Sequence, residues 1–328
     1  MTGRAVHRRA VLAAALAAPA LPSATAVAQG FPTRPVRILV TIGAGSAADI
    51  LTRSMAEEMG RRLGQSVVAE NRPGAGGNIA GEVVKRADPD GHTLLMATVS
   101  THGINPALYR TMPFDPVADF APVTLCATSP NVLVVSPDSP FNSVADIVAA
   151  ARARPGELTY SSGGSGTSQH LGGAVLEQMT GVRLTHVPFR SAPESVNAVL
   201  AKQTTMTFAS VPVALGQVQG GRLRAIGLSG LRPMPGWPEV KPLAELGLPG
   251  FDVTAWFGLA APARTPDAVV ARLNEAARAA LDTPAVRERL AGQGMQVLEG
   301  GPAEFGAFIR SEIARWAPIV RASGATAD

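Results

Sequence analysis

Two short stretches hold the residue types that could do chemistry. Gly43–Asp49 reads GAGSAAD and Ser161–His170 reads SSGGSGTSQH. Each is rich in small residues and hydroxyls, and each lies between an apolar run and a segment of helical period. Such turns admit three chemistries: a cradle for a dinucleotide, a nucleophilic serine, or a seat for a smaller anion.

The dinucleotide reading has Gly43, Gly45 and Ala48 in the G-x-G-x-x-G/A pattern and Glu70 where a ribose-binding acid belongs. Asp49 opposes it, because a carboxylate in the first helical turn repels the pyrophosphate that would need those amides. The hydrolase reading rests on Ser165 or Ser162. The nucleophile elbow requires G-x-S-x-G, and Gly163-Gly164-Ser165-Gly166-Thr167 lacks the last glycine. His170 follows on the same segment, and nothing identifies an orienting acid. His92, His102, His170 and His186 are not paired at ligand spacing, so no metal or other cofactor is expected.

The third reading makes the two stretches a matched pair of anion-binding turns. Small residues let backbone N–H groups approach a carboxylate, and a helix start adds a favourable dipole. Four charge-assisted hydrogen bonds at roughly 1.5–3 kcal/mol each give about 6–12 kcal/mol. Less an association cost of at least ~4 kcal/mol, micromolar binding is within reach once apolar contact is added, with no arginine clamp required.

Short Val-, Leu- and Ile-rich runs alternating with helical segments position these turns, the pattern of α/β architecture with largely parallel sheets. A strand at 36–41 precedes the first turn, and Leu51, Met55, Met59 and Leu63 recur every fourth residue behind it. A second series begins near Asn131 with NVLVVS, then a helix with Ser143 as cap and Asp146 three residues on. LTYSS leads into the second turn. TPDAVVARLNEAARAAL, with Thr265 as cap and Pro266 at the first helical position, and PAEFGAFIRSEIARWAPIV close the chain.

Residues 1–28 have a basic start, an apolar stretch and Ala26-Val27-Ala28, an export signal by the Sec or twin-arginine route that implies a periplasmic protein. Its removal leaves about 300 residues, the length of two domains. The formal charge of +4 loses Arg4, Arg8 and Arg9 with the signal, so the basicity is largely a targeting feature. No Lys/Arg cluster with interleaved aromatics remains, which argues against nucleic acid. Cys126 is the only cysteine, so the exported chain folds without an internal disulfide.

PTRPVRILV, the SAADI turn, ENRPGAGGNIAG, DPDGHTLLMAT, THGINPALY, SSGGSGTSQHLGG, VPFR, GRLRAIGLSG and WFGLAAPARTP follow one another in order. Through them the chain, from about Phe31 to Gly324, resembles the Bug family, the extracytoplasmic solute receptors of tripartite tricarboxylate transporters. The resemblance implies a two-lobed clamshell of the type II periplasmic-binding kind, each lobe a mostly parallel sheet flanked by helices. Lobe I is expected at 29–130 plus 255–328 and lobe II at 131–254. It also implies a non-enzymatic, monomeric receptor for a small carboxylate, with a membrane permease of the same system as partner.

Carried across by position, the ligand loops are Gly45, Ser46, Ala47, Ala48 and Asp49 in one lobe, and Ser161, Ser162, Gly163, Ser165, Gly166 and Thr167 in the other. Thr101, His102, His170 and Arg190 are expected near the cleft, with His102 as a side-wall donor. Asp49 either accepts a ligand hydroxyl or caps its helix. The first loop departs from the family's usual PPGGSAD, and Thr205 and Ala209 stand where members commonly carry Asp. Losing Asp at Ala209 removes a partner for a ligand amino group, so a plain carboxylic acid is expected over an amino acid. A secreted serine hydrolase, or a receptor that signals without transport, is the alternative.

Overall fold

The computed structural model describes residues 30–234, 236–323 and 325–327; the segment read as an export signal lies outside them. Among the described residues eleven strands run in chain order: β1 (Val36–Val40), β2 (Val67–Asn71), β3 (Thr93–Thr98), β4 (Phe120–Ser129), β5 (Asn131–Val135), β6 (Thr159–Ser162), β7 (Thr185–Pro188), β8 (Met206–Ser210), β9 (Arg224–Leu228), β10 (Ala255–Pro262) and β11 (Gln296–Val297). They form two sheets, in the orders β11-β4-β10-β3-β1-β2 and β7-β6-β8-β5-β9.

Each sheet has a parallel core, β2-β1-β3 in the first and β7-β6-β8 in the second. The remaining pairs are antiparallel, so the sheets are mixed and not mostly parallel as expected; apart from β11–β4, these pairs form where the chain changes lobe. β5 follows β4 after Pro130 alone and runs antiparallel to β8 and β9; β10, which brings the chain back, runs antiparallel to β3 and β4. A chain crossing straight between two sheets enters the new one from the hinge side, against the strands that βα turns have laid down.

The helices flanking the sheets are α1 (Ala47–Leu63), α2 (Asn78–Lys85), α3 (Val144–Ala153), α4 (Ser168–Thr180), α5 (Ala192–Leu200), α6 (Val211–Gln219), α7 (Asp267–Leu281), α8 (Pro284–Gly292) and α9 (Pro302–Ser323). In α1 the stripe Leu51, Met55, Met59 and Leu63 is buried, and Gly64 ends the helix in a left-handed C-cap (φ 73°) whose N–H reaches Gly60 O. The expected Ser143–Asp146 capping box opens α3. Thr265 does not cap α7: its hydroxyl donates to Pro262 O at 2.7 Å, and Pro266 takes the cap position. No helix among the described residues is long and apolar enough to cross a membrane.

The two crossings are stitched together. Asn131 N–H donates to Ser229 Oγ (2.8 Å), Ser229 Oγ donates to Val253 O (2.8 Å), and the Asn131 amide reaches Val253 O (3.4 Å). α9 fastens the returning segment: Arg315 donates to Asp252 (2.9 Å) and Glu312 (3.1 Å), and the buried Glu312 also accepts both the Trp256 and Trp316 indole N–H groups at 2.8 and 2.9 Å.

Candidate functional site

The first loop leaves the carboxyl end of β1 and turns into α1. Ser46 is the N-cap, its Oγ accepting from Asp49 N at 3.3 Å. Asp49 reaches back, Oδ2 accepting from Gly45 N (3.0 Å) and Oδ1 from Arg53 Nε (2.9 Å). Arg53 continues to Asn71 Oδ1 (3.0 Å), and the Asn71 amide donates to Ile42 O (3.0 Å), so the end of β2 braces the loop. Burial alone would raise the Asp49 pKa. Hydrogen bonds from Arg53, the Gly45 amide and Asn71, with the Arg53 charge, outweigh it and hold the carboxyl below the usual range. Asp49 thus braces the turn that enters α1, where Ser46 is the N-cap. The N–H groups of Ala47 and Ala48, in the first helical turn, find no acceptor among the described residues.

The second loop repeats this at the end of β6. Thr167 caps α4, its Oγ1 accepting from His170 N at 3.3 Å and donating to Gly164 O at 2.7 Å. Gly163 N donates to Gln169 Oε1 (2.6 Å), and Gly166 N to His170 Nδ1 (3.2 Å). Ser162 Oγ accepts from Gly164 N at 3.2 Å and shares a 2.7 Å hydrogen bond with His186 Nε2. The N–H groups of Ser168 and Gln169 match those of Ala47 and Ala48 in lacking a protein acceptor among the described residues.

The two helix starts face one cavity. Ser46, Ala47 and Ala48 line it from one lobe and Gly163, Thr167, Ser168 and Gln169 from the other, with Ile42, Val99 and Phe257 as apolar wall. No residue lining it is charged. Its volume is about 40 Å³, room for about three waters. Ligand pockets typically measure ~300–1,000 Å³, so this cavity by itself is too small for a carboxylate of several carbons. A wider mouth of about 510 Å³ adjoins it, lined among others by Thr41, Gly76, Ser165 and Arg190.

Glycines let the lobes approach. A Cβ added at Gly43 would lie 3.0 Å from Ser191 Cβ, and one at Gly166 2.6 Å from Asn105 Oδ1. Gly166 also has φ +81°, a left-handed value that a side chain would strain.

Of the expected site residues, the structure thus brings Ser46, Ala47, Ala48, Gly163 and Thr167 to the inner cavity and Ser165 and Arg190 to its mouth. Others lie behind. Gly45 and Gly166 spend their amides on Asp49 and His170. Ser161 is buried in β6, its hydroxyl donating to Ser195 O at 2.8 Å. Ser162 is also fully buried. Thr101 and His102 are not on the side wall: a π-helical turn after β3 (Ser100–Ile104) points them into the core. The His102 ring packs 4.9 Å from Phe120, with Nδ1 2.9 Å from Thr101 Oγ1, and burial pushes its pKa down to about 3. His170 stands behind its loop and stacks on His186 at 4.0 Å.

Among the cavity residues that sequence reasoning missed are Thr98, Ser129, Asn131, Ser168, Gln169 and Ser210. Ser210 Oγ is buried there without a partner among the described residues, and Asn131 Nδ2 donates to Ser168 Oγ at 3.0 Å. Thr98, Ser129 and Ser210 each end a strand. The rule that crevices open beyond strand carboxyl ends could have singled out Thr98 and Ser210, which end strands of the parallel cores.

Known proteins share this fold. A family model described as "Tripartite tricarboxylate transporter family receptor" matches residues 51–325. The chain is 38% identical to the UPF0065 protein in the tcbD-tcbE intergenic region of Pseudomonas sp. (strain P51), over 88% of this chain and 86% of that one. It is similar to the structure of R. palustris Rpa4515 with adipate (TM-score 0.86, 32% identity, covering 90% of this chain and 99% of that one). The periplasmic binding protein BugD superimposes with a TM-score of 0.85 at 30% identity, covering 90% of this chain and 99% of that one.

Proposed function

The chain belongs to the tripartite tricarboxylate transporter family of receptors, and from that premise we propose that it captures a small organic carboxylate in the periplasm and presents it to membrane permease subunits of a transporter of that class. The observation that carries this reading is the convergence of two helix starts, each with two unclaimed amides, on one uncharged cavity. Four donors with two helix dipoles suit one carboxylate group, and hydroxyls beside them suit its remaining lone pairs. Lobe I (29–130 plus 255–328) and lobe II (131–254) close on it by rotation about the crossings. Rpa4515, the relative with adipate, supports a ligand of this class.

The uncharged lining also favours a plain carboxylic acid. Asp49, the nearest acid to the first helix start, is committed to Gly45 and Arg53 and leaves no anionic partner for an amino group. A hydrolytic role is disfavoured by the same geometry. Ser162 is buried and already engaged by Gly164 and His186, and no carboxylate is hydrogen-bonded to His186 among the described residues.

The test is a thermal-shift panel of carboxylates against residues 30–328: adipate, citrate, aromatic acids, aspartate and glutamate. Binding stabilises the native state by mass action, about 2.7 kcal/mol at a hundredfold excess over Kd. At least one plain acid raises the melting temperature and the amino acids do not. Stabilisation by none of them, together with ester turnover that vanishes in Ser162→Ala or Ser165→Ala, overturns the reading.

A further inference from the structure

Behind the second loop lies a side-chain cluster that the capture of an anion does not itself call on. The rings of His170, on α4, and His186, on β7, stack with centroids 4.0 Å apart and planes 19° from parallel. Tyr160 of β6 stacks against His186 at 4.9 Å. Each imidazole holds a different point of the same turn. His170 Nδ1 accepts the Gly166 amide, which requires that nitrogen to be unprotonated. His186 Nε2 is bonded to Ser162 Oγ, and that oxygen in turn accepts from Gly164 N and reaches Gly164 O at 3.1 Å. The pair therefore grips both ends of Gly163–Thr167, immediately before the Ser168 and Gln169 amides.

We propose that His170 and His186 are a positioning pair that keeps the Gly163–Thr167 turn in its anion-receiving shape only while His170 Nδ1 is unprotonated and the two rings are not both charged, so that acid dismantles the turn. This rests on the reading of that turn as half of the carboxylate seat. A proton on His170 Nδ1 sets N–H against the Gly166 N–H. A proton on each ring places two positive charges 4.0 Å apart.

The surroundings offer little to offset such charge. Tyr160 faces the stack from β6, and its hydroxyl donates to His170 O at 3.2 Å. Glu177 of α4 acts on Tyr160 and is itself countered by Arg183. No carboxylate forms a hydrogen bond or ion pair with either ring among the described residues. Burial pushes His170 down to about 4; burial and the neighbouring His170 push His186 down to about 3. The device is thus silent near neutrality and acts in acid.

The test needs no ligand, so its failure is separate from failure of the carboxylate panel. Residues 30–328, labelled with ¹⁵N throughout and ¹³C in histidine, are titrated from pH 7.5 to 3.5 by NMR. His170 and Gly166 should shift with one midpoint at least a pH unit below ordinary histidine, and Gly166 amide exchange, after correction for its intrinsic pH dependence, should accelerate at least tenfold. His170→Asn with His186→Gln supplies amide oxygens in place of the ring nitrogens. That variant should keep the neutral-pH loop spectrum and lose the acid response. A Gly166 amide that stays still while the rings titrate overturns the proposal; so does a variant whose loop follows the wild-type acid response. Should the double variant not fold, the wild-type titration alone decides.

Discussion

Asp49→Asn separates a turn-bracing role from a ligand-binding one. The native carboxylate accepts from Gly45 N at 3.0 Å and from Arg53 Nε at 2.9 Å, with its side chain only 6% exposed. An asparagine has one acceptor oxygen, so it keeps one of these bonds and turns an N–H₂ toward the other donor. The lost charge-assisted bond is worth roughly 1.5–3 kcal/mol. Arg53 is 55% exposed, so its share is closer to the ~0.2–1 kcal/mol of a screened pair. The expected loss is about 2 kcal/mol, or on the order of 4–8 °C in Tm at ~2–4 °C per kcal/mol. Urea denaturation of residues 30–328 at pH 7 reads it as a lower midpoint at unchanged m. Because the amides that face the cavity belong to Ala47 and Ala48, affinity for the best carboxylate of the panel should fall less than ~5-fold, a cost under about 1 kcal/mol. An unaltered midpoint together with abolished binding would refute the reasoning and make Asp49 a ligand contact.

Two other outcomes follow from the packing. Gly43→Val crowds Ser191 across the lobes, where even a Cβ would lie 3.0 Å away, so it should weaken binding by about 1–3 kcal/mol, roughly 5–150-fold, while the ligand-free Tm moves little; an equal loss in the ligand-free protein would mean that the lobes do not separate. Burial holds His102 and His186 near 3 and His170 near 4, below their unfolded value near 6.5. The unfolded chain therefore binds more protons below that value, so stability is complete above pH 6.5 and falls as pH drops toward the folded values, by about 1.4 kcal/mol per pH unit for each imidazole. Urea midpoints that stay flat from pH 7 to 5 would contradict this.

The two helix starts were legible because a strand-to-helix turn is local. The small-residue turns Gly43–Asp49 and Ser161–His170 each lead from a strand into a helix where the sequence put them, while their caps, Ser46 and Thr167, emerged only with the structure. What the sequence could not convey depended on convergence. Thr98, Asn131 and Ser210 are isolated polar residues far apart in the chain, and only the folding of two sheets around a hinge brings them together. His102 misled for the opposite reason: a Thr-His-Gly stretch after a strand looks like cleft wall, but its turn drives the ring into a cluster with Phe114 and Phe120. Among the elements, β4 was masked by Pro122 and its interspersed hydroxyl residues, and α6 by Pro212 within a valine-rich run that lacks helical spacing.

Asn131 bonds at once to Ser229, to Val253 and to Ser168 at the head of α4. Connecting segments lashed side by side resist shear and torsion, so relative travel of the halves is expected along a single angular coordinate. Dyes attached to the outer rims would then report occupancy as one distance, whichever acid fills the jaws.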